Sequence, residues 1–299
     1  MDSEIIETYK KAGIIAQKSV VYARSLIKEG MPLLEIAEKI EAKIVELGGK
    51  PAFPVNLSIN EIAAHATPVF QDTEKVHGLL KVDIGVHISG FVADTAFSLD
   101  LEKSEENKNL IAAAESAVAQ ATQLLLTKKP KVRDIGKTIA IAIETAGFQP
   151  IHNLSGHSIE QYNLHAGITI PNYDNAQEHQ LKEGVYAIEP FATLSTGAGM
   201  VRDGKPSGIY AVAKQGAVRD QFAREVLAYI IETYTTLPFC ARWLQKHFGS
   251  RALLALSRLQ QAGILHHYAQ LIEQAGKKVA QAEHTIIITE KETIVTTQE

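Results

Sequence analysis

Residues 81–98, KVDIGVHISGFVADTAFS, constrain this chain more than any other stretch. Val82, Ile84, Val86 and Ile88 alternate with Lys81, Asp83, Gly85 and His87, and a period of two marks a half-buried strand. A second alternating run starts at Phe91, and Ser89-Gly90 between the runs suits a two-residue hairpin turn. If Ile88 pairs with Phe91, Asp94 faces Gly85, and Asp83 lies two residues further along the same face. The two aspartates are then diagonal neighbours with Cα atoms about 7–8 Å apart. Carboxylates so placed can converge on two cations held roughly 3.5–4 Å apart. Like charges on one sheet face repel, so the arrangement needs a compensating cation. Without further ligands the pattern suits two solvated aspartates equally well.

The flanking segments repeat. Residues 3–29 carry Ile5, Tyr9, Ala12, Ile15 and Ala16 at helical spacing. Residues 33–47 carry an apolar stripe of Leu33, Ile36, Ala37, Ile40, Ile44 and Leu47, opened by Pro32 and closed by Gly48-Gly49. After the hairpin, helices are expected over residues 104–127 and 132–146. At a constant offset of 99, Ile36 matches Ile135, Ile40 matches Ile139, Ile44 matches Ile143 and Gly48 matches Gly147. The order helix, helix, glycine stop, strands thus occurs twice, which suggests two similar halves about a pseudo-twofold axis.

Polar residues then accumulate on separate strands and turns. His65 stands in His-Ala-Thr-Pro, a context that suits a turn as well as a site. His157 follows a glycine in Ser-Gly-His-Ser, and His165 comes eight residues later. Glu189 interrupts the short apolar strand VYAIEPF, and Glu283 sits in another, AEHTIIIT. A buried acid is expensive unless paired or metal-bound. Asp83, Asp94, His157, Glu189 and Glu283 make an oxygen-rich set suited to Mn²⁺, Fe²⁺, Co²⁺ or Zn²⁺ in a two-ion site. The set lacks the thiolates of a closed structural zinc site.

Composition narrows the setting. The 299 residues are 45% hydrophobic and 21% charged with a net charge of −4, as expected of a soluble globular chain without a general nucleic-acid or membrane role. One cysteine, Cys240, excludes an intrachain disulfide and suits a reducing compartment. The N-terminus lacks the plan of a signal peptide, and no run of about 18 apolar residues occurs, so a cytoplasmic location is expected. Residues 201–280 hold eleven Lys or Arg against five Asp or Glu, which leaves −10 on the rest of the chain. With a helical pattern over residues 219–275, this basic stretch reads as an inserted subdomain.

The chain resembles the methionine aminopeptidases of the pita-bread fold. AHATP, VDIGVHISGFVADTA, GHSIEQYNLHAG, IEPF and AEHTIII carry the likeness, in that order, over essentially the whole chain. The helical insertion before Glu283 resembles the type 2 enzymes, and the short N-terminus their archaeal form. The resemblance implies an α+β fold, with a pseudo-twofold repeat of helices on a mainly antiparallel curved sheet. It implies a catalytic body over residues 1–194 and 276–299 and a helical, winged-helix-like insertion over 195–275. It also implies that Asp83 binds one ion, that Asp94 and Glu283 bridge two, and that His157 and Glu189 complete the second. Glu189 would also serve as general base and then acid. His65 and His165 would bind substrate and stabilise the oxyanion, and Phe53 would wall the methionine pocket.

The implied activity is removal of the initiator methionine from nascent chains ahead of a small second residue, by a monomer in the cytoplasm. Ribosome contact would run through the basic insertion, with Arg242, Lys246, Arg251 and Arg258 as candidates. An X-Pro aminopeptidase or prolidase on the same fold, and a non-catalytic binding relative, are the alternatives. The former usually carry an extra N-terminal domain, for which this chain shows no counterpart. The latter lose metal ligands, and all five are present here.

Overall fold

In the computed structural model, which describes residues 1–298, Leu79–Ile88 and Phe91–Asp100 form the expected hairpin. Ile88 pairs with Phe91 and Gly85 with Asp94, so both aspartates share one face. Ser89 and Gly90 both have positive φ, 50° and 86°, as a type I′ turn requires. The strand is buried on both faces, not half-buried: Lys81 is fully covered and its Nζ donates to the Asn60 carbonyl at 2.6 Å.

Among the described residues seven helices surround the strands: α1 (Ser3–Leu26), α2 (Leu33–Glu46), α3 (Glu105–Thr127), α4 (Val132–Thr145), α5 (Gln221–Tyr234), α6 (Ala241–Phe248) and α7 (Ala252–Gln261). Helix α1 stops at Leu26, short of the expected residue 29. Helices α2 and α4 begin and end 99 residues apart, and Gly48 and Gly147 close them with φ of 91° and 86°. In the first half, α1 and α2 cover Leu57, Val82, Ile84 and Phe97. In the second, α3 and α4 cover Ile170, Tyr186, Ile188 and Ile286. The sequence repeat is therefore a repeat of helix pairs on sheet faces. Helix α3 is long enough to match a bilayer span and passes on mean hydropathy, although Ser116, Gln120 and Gln123 interrupt its apolar residues. Its face of Leu110, Ala114, Ala117, Ala121 and Leu125 is buried in the second core.

The stretch expected to be a helical insertion is not purely helical. Val201–Val212 and Leu265–Glu273 form a long antiparallel ribbon whose root pairs with Ile62–Ala64 of the body. Residues 265–273 were expected to be helical because Leu265, Tyr268, Ala269 and Ile272 fall at helical spacing. The segment is a strand instead, paired on both edges, and the extra residues at its register shifts lie on the partner strands 201–212 and 62–64. Helices α5 to α7 close on a core of their own, including Val226, Ile230, Phe239, Leu244 and Leu259. Arg242 is not the surface cation expected. It is 1% exposed and forked onto Glu41 of α2, and neighbouring Lys246 pairs with Glu38 at 2.6 Å.

Candidate metal centre

The expected ligands come from breaks between sheets as much as from strands. Gly184–Ile188 pairs with His284–Ile288, while Phe191–Leu194 pairs with Val279–Gln281. Glu189 and Glu283 both fall where the chain passes from one sheet to the other, rather than mid-strand as expected. Pro190, which cannot donate to a ladder, sits at this break. His157 lies on Ser155–Ile159, opposite Ala187. The hairpin is stitched to the same break by hydroxyls. Thr285 Oγ1 accepts from the Asp94 amide at 2.7 Å and donates to the Asp94 carbonyl at 2.8 Å. Thr95 Oγ1 donates to the Glu283 carbonyl at 2.9 Å, and Ser98 Oγ to that of Gln281 at 2.8 Å.

All eight expected site residues line one cavity of about 290 Å³: Asp83, Asp94, His157, Glu189 and Glu283, with Phe53, His65 and His165. Ligand atoms of Asp94, His157 and Glu283 lie within 4.8 Å of one another. His157 Nε2 is 3.7 Å from Asp94 Oδ2 and 3.5 Å from Glu189 Oε1. The rings of His157 and His165 meet edge to face at 4.4 Å, and His65 meets Tyr268 of the insertion ribbon at 5.4 Å.

The electrostatics fit a cation. Burial pushes the Asp83 carboxyl up to about 7. Burial, and then the neighbouring carboxylates, push Asp94, Glu189 and Glu283 well up too. Burial and then His165 hold His157 down at about 3, and the same causes hold His65 at about 4, so both imidazoles are neutral near pH 7. Asp83 Oδ1, Asp94 Oδ1 and His157 Nδ1 are buried without a hydrogen-bond partner among the described residues. Four acids with lone pairs to spare and a neutral imidazole make a donor set that divalent cations fit.

These carboxyls have folded pKa values above their ordinary unfolded values near 4, so without metal the folded state binds more protons than the unfolded one. Stability of the stripped protein falls as pH rises from about 4 through about 7, the window set by Asp83. Calorimetry of chelator-treated protein should show a melting temperature that declines between pH 5 and 7.5. Adding Mn²⁺ or Co²⁺ should flatten that decline. Equal slopes with and without metal would contradict the site.

Gly85 has a packing reason as well as a register. A Cβ there would stand 2.2 Å from Phe53 Cε1, so the ring rests directly on the strand opposite Asp94. Gly85→Ala should therefore displace the ring, cost about 1–3 kcal/mol in a denaturant melt, and, with Phe53 walling the substrate pocket as expected, raise KM more than it lowers kcat. An unchanged KM would remove Phe53 from the pocket wall.

Comparison with known proteins gives the family. The profile of metallopeptidase family M24 matches residues 7–290. The chain belongs to that family. A methionine aminopeptidase from Pyrococcus abyssi is 48% identical over 293 residues, covering 96% of this chain and 98% of that one. Among solved structures, a thermophilic Arx1 superposes with a TM-score of 0.85 at 14% identity, over 99% of this chain and 91% of that one. A methionine aminopeptidase from Thermotoga maritima superposes with a TM-score of 0.70 at 22% identity, over 100% and 98%. The M24 chain described here thus has the pita-bread fold.

Residues with no expected role also belong to the centre. Thr285, Thr95 and Ser98 hold together the segments that carry the candidate ligands, and Asn56 lines the cavity opposite Asp83 in register. Only threonines and serines on strands adjoining an aspartate or glutamate hinted at them.

Proposed function

We propose that this M24 chain removes the N-terminal initiator methionine from nascent proteins, preferring a small second residue. The observation that carries the reading is the meeting of five metal-type donors from distant segments in one cavity with two further histidines. High identity to a protein named methionine aminopeptidase supports it. Asp83, Asp94, His157, Glu189 and Glu283 would hold two divalent ions, drawn from Co²⁺, Mn²⁺, Fe²⁺ and Zn²⁺. When bound, such ions acidify water and polarise a carbonyl.

The residues divide the remaining work. Asp83 would help hold the ion that meets the free α-amine of the substrate, which would limit cleavage to the first residue. Neutral His65 and His165 each have an N–H to donate to the substrate carbonyl as negative charge develops there. A Glu189 carboxylate oxygen takes a proton from the attacking water and passes it to the leaving amine. Phe53 packs against the thioether side chain. On this reading residues 1–194 and 276–299 are the catalytic body, 195–275 the type 2 insertion, and the enzyme acts as a cytoplasmic monomer.

Metal titration of apo-protein with Met-Ala-Ser and Ala-Pro as parallel substrates tests the proposal. Metal-dependent release of methionine is expected. Cleavage of Ala-Pro alone would make the chain an X-Pro peptidase, and no cleavage of either a binding protein.

Ribosome contact through the insertion rests on fewer residues than its charge suggested, because Arg242 and Lys246 are paired with α2. Arg251 stacks on Phe222 at 4.4 Å, and Arg258 pairs with Asp220; both are exposed. Arg251→Glu with Arg258→Glu should weaken co-sedimentation with ribosomes at low salt and reduce its salt slope by about 2. The variant should cleave free Met-Ala-Ser normally. Unchanged co-sedimentation would leave the basic residues as docking and surface charge only.

A further inference from the structure

His65 sits at φ 60°, in the left-handed region that a non-glycine residue occupies only when its surroundings over-determine it. Three hydrogen bonds hold the turn that carries it. Leu57 N–H donates to the Ala66 carbonyl at 2.6 Å, and Thr67 Oγ1 donates to the Val55 carbonyl at 3.0 Å. The third comes from outside the body: Arg242 Nε, on α6 of the insertion, donates to the Pro68 carbonyl at 3.2 Å. The same guanidinium is locked in place by Glu41. Its Nη1 and Nη2 donate to Glu41 Oε2 and Oε1 at 2.9 and 2.7 Å, and Trp243 Nε1 adds a bond to Oε2 at 2.9 Å. Glu41 Oε1 also accepts the Val55 amide at 3.3 Å, two residues past Phe53. One buried node therefore ties α2, α6 and the turn bearing His65.

We propose that Arg242 is a positioning residue for His65, through which the insertion holds the substrate-side histidine in its strained conformation. The inference rests on the role given to His65 above. The geometry demands arginine, because a fork onto one carboxylate and a separate Nε donor aimed at a carbonyl cannot both come from an ammonium. A surface docking role alone would need neither the Nε bond nor full burial.

A double-mutant cycle in kcat on Met-Ala-Ser tests it. Arg242→Lys should lower kcat by about tenfold to a hundredfold, the cost of a small misplacement of a contacting group, with KM changed less than about threefold and metal content unchanged. In a His65→Ala background, the same substitution should change kcat by less than about twofold, since the group it positions is gone. The pair Arg242→Met with Glu41→Leu removes both charges and keeps the contact between α2 and α6 apolar. It too should lose kcat only when His65 is present, and it serves if Arg242→Lys folds poorly. A full loss repeated in the His65→Ala background, a loss confined to KM, or a normal kcat in either Arg242 variant would overturn the proposal. Wild-type protein that fails to cleave Met-Ala-Ser would instead overturn the functional reading beneath it.

Discussion

Asp94→Ala should reduce turnover of Met-Ala-Ser by at least about 10³-fold, because metal assistance contributes several kcal/mol and each 1.36 kcal/mol is tenfold. Asp94 is proposed to bridge both ions, so its loss opens a coordination position on each. The fold should survive. Alanine keeps the backbone pairing with Gly85, and Thr285 Oγ1 bonds the backbone amide and carbonyl of residue 94, not its carboxylate. The variant also removes one of four carboxyls that repel one another in a buried space, so metal-free Asp94→Ala should melt at or above metal-free wild type at pH 7.5. Elemental analysis, turnover and calorimetry on the same preparation check this. Wild-type metal content with near-normal turnover would defeat the assignment.

The hairpin that carries Asp94 was legible because a two-residue period and a Ser-Gly turn leave one register, and the register alone places two aspartates on one face. Helices α2 and α4 were legible because Pro32, Gly48 and Gly147 mark ends as well as faces. The candidate ligands could be named because acids in apolar runs have few other reasons to be there. What lay hidden was long-range. Lys81 follows the polar phase of its strand, and nothing nearby in sequence says that both faces are covered. Arg242 has no local signal that separates it from Arg251. Its burial depends on Glu41, some two hundred residues earlier, and a charge sum over residues 201–280 counts both arginines alike. Thr285 looks like an ordinary strand residue until the fold sets it against Asp94.

His65→Ala separates catalysis from metal binding. His65 lines the cavity with its ring against Tyr268, and the proposed function gives it a role toward the substrate carbonyl and none toward an ion. The substitution should leave metal content unchanged and lower kcat by roughly 10²–10³, the usual cost of one oxyanion donor. The loss should come from the imidazole and not from a relaxed turn, because alanine in the left-handed region is no freer than histidine and the bonds at Leu57, Thr67 and Arg242 all use other residues. His65→Gly provides the control. It should relieve the strain, raise the melting temperature above that of His65→Ala, and be equally slow. The neutral ring also sets the pH behaviour. Burial and His165 hold it near 4, so the wild-type His65 contribution should stay constant from pH 6 to 8 and fade only as pH falls toward 4. The ratio of wild-type to His65→Ala turnover, measured across that range, reads this directly. A metal-free His65→Ala protein would make His65 a ligand, and a ratio that titrates near the ordinary histidine value of about 6.5 would mean that the ring is solvated and free of the substrate.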